Sequence, residues 1–301
     1  MTDGADPGPL GPRSHGPGDR GTFGPGDPGE PEVLVLADPD ATGAAAAGLI
    51  VDALRTAVDR RGRADVATTG GSTPGAIYRA LVADPLRERV PWAVLHLWFG
   101  DDRYVPRHHT DSNLIPVDAI LLGQDGGPGS PLPHANVHPW PVAETARAGG
   151  DASDCAEAYA AEMRGTIPAD AAGRPVFDVV LVGIGPDGHL LSVFPGSRAF
   201  DAPGWTIAVP APTHIAPHVE RLTCTPPLLD ATPVLISVAF GGSKAAVIAR
   251  ILDGPRDERV LPAQRARRAG ATWVLDAAAA AHLDPVRWPV VARAAARPGH
   301  G

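Results

Sequence analysis

The sequence predicts an α/β fold, a doubly wound, mostly parallel sheet flanked by helices, on three observations. Residues 177–182 are dominated by β-branched and aliphatic side chains without polar alternation, which suits a strand covered on both faces. Strand-like and helix-like segments alternate from Val33 onwards, the rhythm of parallel strands joined by crossover helices. Three of the strand-like runs end in turns rich in glycine or aspartate, and ligands of such sheets bind beyond the carboxyl ends of the strands.

Residues 1–30 are mostly glycine and proline, with almost no aliphatic side chain to bury, and read as a disordered tail. The folded part opens with the strand Val33-Leu34-Val35-Leu36 and an alanine-rich helix over residues 41–58. Asp65-Val66-Ala67-Thr68-Thr69 is a short strand, followed by Gly70-Gly71-Ser72-Thr73-Pro74 and a helix over residues 75–82. Pro74 falls in the first helical turn, where its missing N–H is harmless, with Ser72 or Thr73 as the cap. Residues 94–100 form the next strand, which runs into Asp101-Asp102-Arg103-Tyr104-Val105-Pro106 and Asp111-Ser112-Asn113 as polar loops.

Residues 123–136, rich in glycine, proline and aspartate, read as a long surface loop. A helix over residues 152–163 precedes the strand that ends at Gly183. Beyond His189 come short strands at residues 205–209 and 221–224, a strand at 234–239, a helix over 244–252 and a last strand at 272–275. A short alanine helix and a flexible C-terminal tail over residues 285–301 close the chain, so a single catalytic domain is expected over residues 31–284. No internal repeat points to a solenoid or propeller.

A net charge of −8 with scattered acidic residues excludes a nucleic-acid partner, which needs a basic face. Cys155 and Cys224 are too few to staple a domain of this size and read as reduced thiols of a cytoplasmic protein. No apolar run in the sequence reads as a membrane span, and the N-terminus lacks the apolar core of a signal peptide.

Two of the loops carry recognisable chemistry. A strand, a Gly-Gly-Ser-Thr loop and a helix start make an anion cradle, because free backbone N–H groups and the positive end of the helix dipole converge there. The loop matches neither the phosphate-binding loop of nucleotide hydrolases nor the dinucleotide fingerprint, so no nucleotide is implied. Gly183-Ile184-Gly185-Pro186-Asp187-Gly188-His189 brings an acid and an imidazole to a strand end, and imidazole is the side chain that titrates near neutral pH. Lys244, the only lysine, opens a helix after Gly241-Gly242-Ser243.

These segments, with Ser112-Asn113, Phe194-Pro195-Gly196 and the late segments around Arg221, Lys244 and Trp273, resemble the 6-phosphogluconolactonase family, which shares a fold with glucosamine-6-phosphate deaminase and ribose-5-phosphate isomerase. The resemblance implies hydrolysis of 6-phospho-D-glucono-1,5-lactone in the oxidative pentose phosphate pathway, without metal or other cofactor. It implies a sugar phosphate lactone as the small-molecule partner, no membrane, and a monomer or weak homodimer. His189 takes the place of the family histidine that activates water. Asp187 and Asp101 flank it, either one to orient the imidazole or to accept sugar hydroxyls, with Asp101 the alternative base. Arg103 is either a clamp for carboxylate or phosphate oxygens or the group that stabilises the oxyanion. Arg221 is a second clamp or a solvated surface cation. Gly71, Ser72, Thr73, Gly188 and Lys244 are expected to bind substrate, with Lys244 and the Ser72-Thr73 loop on one phosphate.

The chain departs from the family pattern at two places. Asp102 stands where the family usually has glutamate, and Leu190-Leu191 stand where it has a small or hydroxyl residue and then alanine. Those leucines either pack a helix that follows or narrow the pocket. The rival readings are an amino-sugar phosphate deaminase or isomerase and a non-catalytic sugar-phosphate-binding relative. Deaminases of this group place a glutamate shortly after the histidine, and residues 190–196 contain no acid. His96, His108 and His109 match no metal-ligand spacing, and no nucleophile elbow is present.

Overall fold

The computed structural model describes residues 29–71 and 73–288. Its strands in chain order are β1 (Glu32–Leu36), β2 (Ala64–Thr68), β3 (Leu95–Phe99), β4 (Asp101–Arg103), β5 (Val137–His138), β6 (Val179–Gly183), β7 (Thr206–Val209), β8 (Arg221–Cys224), β9 (Val234–Ala239) and β10 (Ala271–Asp276). Seven of them form one parallel sheet in the order β1-β10-β9-β6-β2-β3-β5. The doubly wound parallel sheet expected from the sequence is present. β2, β6, β9 and β10, aliphatic and almost wholly buried, occupy the interior of that sheet, as strands covered on both faces must.

Three strands expected or missed at the sequence level leave this sheet. β4, β8 and β7 form a separate antiparallel sheet, with Asp101 opposite Thr223, Asp102 opposite Leu222 and Arg103 opposite Arg221. The segment at Asp101, expected as a loop, is therefore strand. Its partner lies about 120 residues later in the chain, and a three-residue strand is too short for alternation to show.

The helix Pro39–Arg61 is started by Asp38, whose carboxylate accepts from the Ala41 N–H at 2.8 Å, and stopped by Gly62 in the left-handed region. Such a cap contributes about 1 kcal/mol. This helix is long and apolar enough to cross a bilayer by length and composition, which the sequence pattern did not suggest. Its apolar stripe, including Ala46, Ala47, Ile50, Val51 and Leu54, is instead buried in the common core. The helix Ala152–Thr166 carries a reciprocal capping box between Asp151 and Asp154.

The alanine-rich segment after β10 forms turns rather than a helix. Asp276 captures its first free N–H groups, including that of Ala279 at 2.7 Å. The packed body also reaches beyond the boundary expected at residue 284. Trp288 is buried, and its indole N–H donates to Asp253 at 3.1 Å. At the other end Glu30 pairs with Arg267 and Arg287. The remainder of both expected tails lies outside the described residues.

Candidate active site

The carboxyl ends of β2, β3 and β6 open onto one cleft, lined by Thr69, Gly70, Gly71 and Thr73 from the first loop, Asp101, Arg103 and Asn113 from the second, and Gly183, Gly185, His189, Leu191, Ser192 and Phe194 from the third. Ile215, Ala216 and Arg221 close a fourth side and Lys244 a fifth. Parallel topology is what brings these loops together, since every strand of the main sheet delivers its carboxyl end to the same edge.

His189 is held from behind. The turn from Gly185 to His189 closes on itself through Gly185 N–H to His189 O at 2.9 Å and Gly188 N–H to Gly185 O at 3.0 Å. Gly185 has to be glycine, because a Cβ there would sit 2.0 Å from His189 Nδ1. Nδ1 lies 2.6 Å from Asp187 Oδ1, which also accepts the His189 backbone N–H at 3.1 Å. The other carboxylate oxygen meets Nε2 of His214 at 2.9 Å. Burial alone would raise the Asp187 carboxyl, but the hydrogen bond and charge of His189 and the hydrogen bond of His214 outweigh it and hold Asp187 well below the usual carboxylate range. An ionised carboxylate only accepts. Nδ1 of His189 must therefore carry hydrogen, and in the neutral ring Nε2 carries the lone pair.

Asp101 is buried at the start of β4. Its carboxylate accepts from Ser192 Oγ at 2.8 Å and Thr69 Oγ1 at 3.2 Å, and its backbone carbonyl accepts from Asn113 Nδ2 at 2.8 Å. Asp101 makes no ion pair with Arg103, whose guanidinium instead donates to Asp111 O at 2.8 Å and to Asn113 Oδ1. Asn113 in turn fits only because Gly70 lacks a Cβ, which would fall 1.7 Å from Asn113 Oδ1.

The register of β4 on β8 sets Arg103 and Arg221 side by side. Burial, and then the neighbouring Arg103 charge, push the Arg221 guanidinium below its usual value. Nε of both arginines is buried without a partner. Burial likewise lowers the Lys244 ammonium, against the opposing pull of Asp187. Among the described residues none of these three cations forms an ion pair with a carboxylate. Two like charges side by side, desolvated and unpaired, form a site that an anion would relieve. The turn that carries Lys244 is fixed by Asp276 at the end of β10, both of whose oxygens lie 3.0 Å from the Gly241 N–H. Among the described residues no group of three or more His, Cys, Asp or Glu side chains is arranged to hold a metal ion.

The family model of glucosamine-6-phosphate isomerases/6-phosphogluconolactonase matches residues 37–274. The chain belongs to this family. A 6-phosphogluconolactonase of Streptomyces coelicolor is 31% identical over 260 residues, 86% of this chain and 97% of that relative. The solved 6-phosphogluconolactonase of Trypanosoma brucei is 28% identical with a TM-score of 0.71, covering 85% of this chain and 100% of that one. A monomeric glucosamine-6-phosphate deaminase, 17% identical with a TM-score of 0.66 over 83% of this chain and 99% of its own, shares the fold alone.

Within this member of the family, most residues expected at the site share the cleft. His189, Asp101, Arg103, Gly71, Thr73, Arg221 and Lys244 line it, and Asp187 stands directly behind His189. Arg221 is buried, not a solvated surface cation. Gly188 is the exception to the expected substrate contacts. It backs onto Leu261 and accepts from the Ala263 N–H at 2.8 Å, away from the cleft wall. Ser72 lies outside the described residues.

Residues 190–197 form turns and bridges, and the short 3-10 helix Arg198–Asp201 that follows packs in a separate cluster from the leucines, so they do not pack a helix. Leu190 is fully buried and bridges to Ile184 and Val193, whereas Leu191 lines the cleft with a φ of 51°. A leucine in that left-handed region stores about 1–3 kcal/mol of strain. The sequence took Asn113, His214 and Asp276 only as parts of family-like segments and did not single out Ser192. Ser192 had a signal, its position three residues after His189 in the same turn. His214 and Asp276 act on partners that only the tertiary fold brings near.

Proposed function

We propose that this protein hydrolyses 6-phospho-D-glucono-1,5-lactone to 6-phospho-D-gluconate, the lactonase step of the oxidative pentose phosphate pathway, as a soluble cytoplasmic enzyme needing no metal. The observation that carries the reading is one cleft holding both an imidazole forced into its Nδ1–H form and three cations without carboxylate partners. The identity with relatives named 6-phosphogluconolactonase over most of the chain supports it.

Hydrolysis of a lactone is acyl transfer to water. A base removes a proton from water as its oxygen attacks the carbonyl carbon, and the carbonyl oxygen becomes an oxyanion. His189 Nε2 serves as the base, and Asp187 holds the ring and stabilises the imidazolium that forms. Arg103, with Arg221 beside it, stabilises the oxyanion, an interaction that grows as charge develops. The imidazolium then returns its proton to the ring oxygen as the ester bond breaks. Lys244, with Thr73 and the Gly71 loop at a helix start, holds the phosphate. Asp101, supported by Ser192 and Thr69, accepts hydroxyl hydrogens of the sugar.

The test is the decay of freshly generated 6-phosphogluconolactone against the spontaneous rate, with and without EDTA. Saturable acceleration unaffected by EDTA is the expected outcome. Ammonia release from glucosamine 6-phosphate without any lactone acceleration would move the assignment to the deaminase branch of the family. Saturable binding of 6-phosphogluconate without turnover would leave a sugar-phosphate-binding relative.

A further inference from the structure

Asp187 serves two imidazoles, one oxygen each. Oδ1 belongs to His189, and Oδ2 lies 2.9 Å from Nε2 of His214, which comes from the loop between β7 and β8, 27 positions further along the chain. The turn at residues 185–189 is closed by its own backbone and does not need this contact. We propose that His214 is a positioning residue for lactone hydrolysis, fixing the Asp187 carboxylate so that its other oxygen keeps His189 Nδ1 protonated and leaves Nε2 as the base. This rests on the base role of His189 set out above.

A carboxylate bonded at one oxygen is free to swing about its last torsion, whereas one bonded at both is fixed in plane. His214 supplies the second bond from outside the turn. Phe194 packs against both imidazoles, 4.8 Å from the ring of His189 and edge-on at 5.8 Å to that of His214. The same contact carries the cleft wall, because Ile215 and Ala216 follow His214 directly and line the site. The rest of the loop is tied independently, by His218 Nδ1 to Pro212 O at 2.7 Å and by Arg221 to Pro217 O at 2.7 Å. The His214 side chain is 51% exposed, so replacing it opens no core cavity.

Titrating 15N-histidine-labelled full-length protein by NMR, with His214→Leu and His214→Gln beside the wild type, tests this. In the wild type His189 should be the Nδ1–H form. In His214→Leu the two tautomers should mix. On the lactone, kcat should fall about tenfold with KM nearly unchanged. His214→Gln, which still offers an N–H to Asp187, should restore the tautomer and most of kcat. An unchanged tautomer in His214→Leu, or a loss confined to KM, would overturn the proposal. Absence of lactone acceleration in the wild type would remove the lactonase reading, while the NMR shifts still report on the coupling of His214 to His189.

Discussion

Asp187 fixes which nitrogen of His189 can act, so its charge matters more than its size. Asp187→Asn keeps the volume but loses the charge, and it lets the amide meet Nδ1 with either its oxygen or its NH2 group. We expect kcat to fall at least about a hundredfold while affinity for 6-phosphogluconate changes little, measured by steady-state kinetics and calorimetry. An equal loss in binding would mean that Asp187 holds substrate rather than the base. The pair was legible in the sequence because Asp187 and His189 are two residues apart in one glycine-rich turn. Ser192 acts on Asp101 across 91 positions and His214 on Asp187 across 27. No local pattern announces a hydrogen bond between loops that meet only after the sheet has formed.

At the scale of elements, the long buried strands and capped helices were readable because their periodicity and punctuation are local. β4 and the two-residue β5 were not, since their pairing is set by distant partners. β4 also carries Asp102, buried where the family usually has the longer glutamate. Burial, opposed by N–H bonds from Asn113 and Arg103 and assisted by the Asp101 charge, pushes its carboxyl up to about 7. An unfolded chain would release this proton near pH 4. The folded state therefore binds more protons between the two values, and stability from this group is full below about pH 4 and lost as pH rises to about 7. Asp102→Asn should flatten that part of the curve of denaturant stability against pH; an unchanged slope would contradict it. The turn before the helix Ala245–Leu252 makes a second expectation. Lys244→Ala should raise the Kd for 6-phosphogluconate by about tenfold or more, and Asp276→Asn, which weakens the hold on Gly241, should do so to a smaller degree. Affinity for unphosphorylated gluconate should not change, and isothermal titration with both ligands checks this.

The whole molecule accounts for why these loops form one site. An all-parallel sheet sends the ends of β2, β3 and β6 to one edge, and the antiparallel β4-β8 pair folds Arg103 and Arg221 onto the same cleft. Fold class and most cleft residues followed from the sequence, because parallel topology is dictated by buried aliphatic runs. The second sheet, the extent of packing to Trp288 and the cross-loop bonds did not, because each depends on contacts across the folded chain. Everything proposed for the cleft turns on His189 as the base of a metal-independent lactonase. Turnover of 6-phosphogluconolactone by wild type and His189→Asn, both in EDTA and each paired with 6-phosphogluconate affinity, is the decisive measurement. We expect acceleration over the spontaneous rate that drops by about 10²–10⁴ in the variant with affinity nearly intact; turnover by the variant close to that of the wild type would rule His189 out as the base.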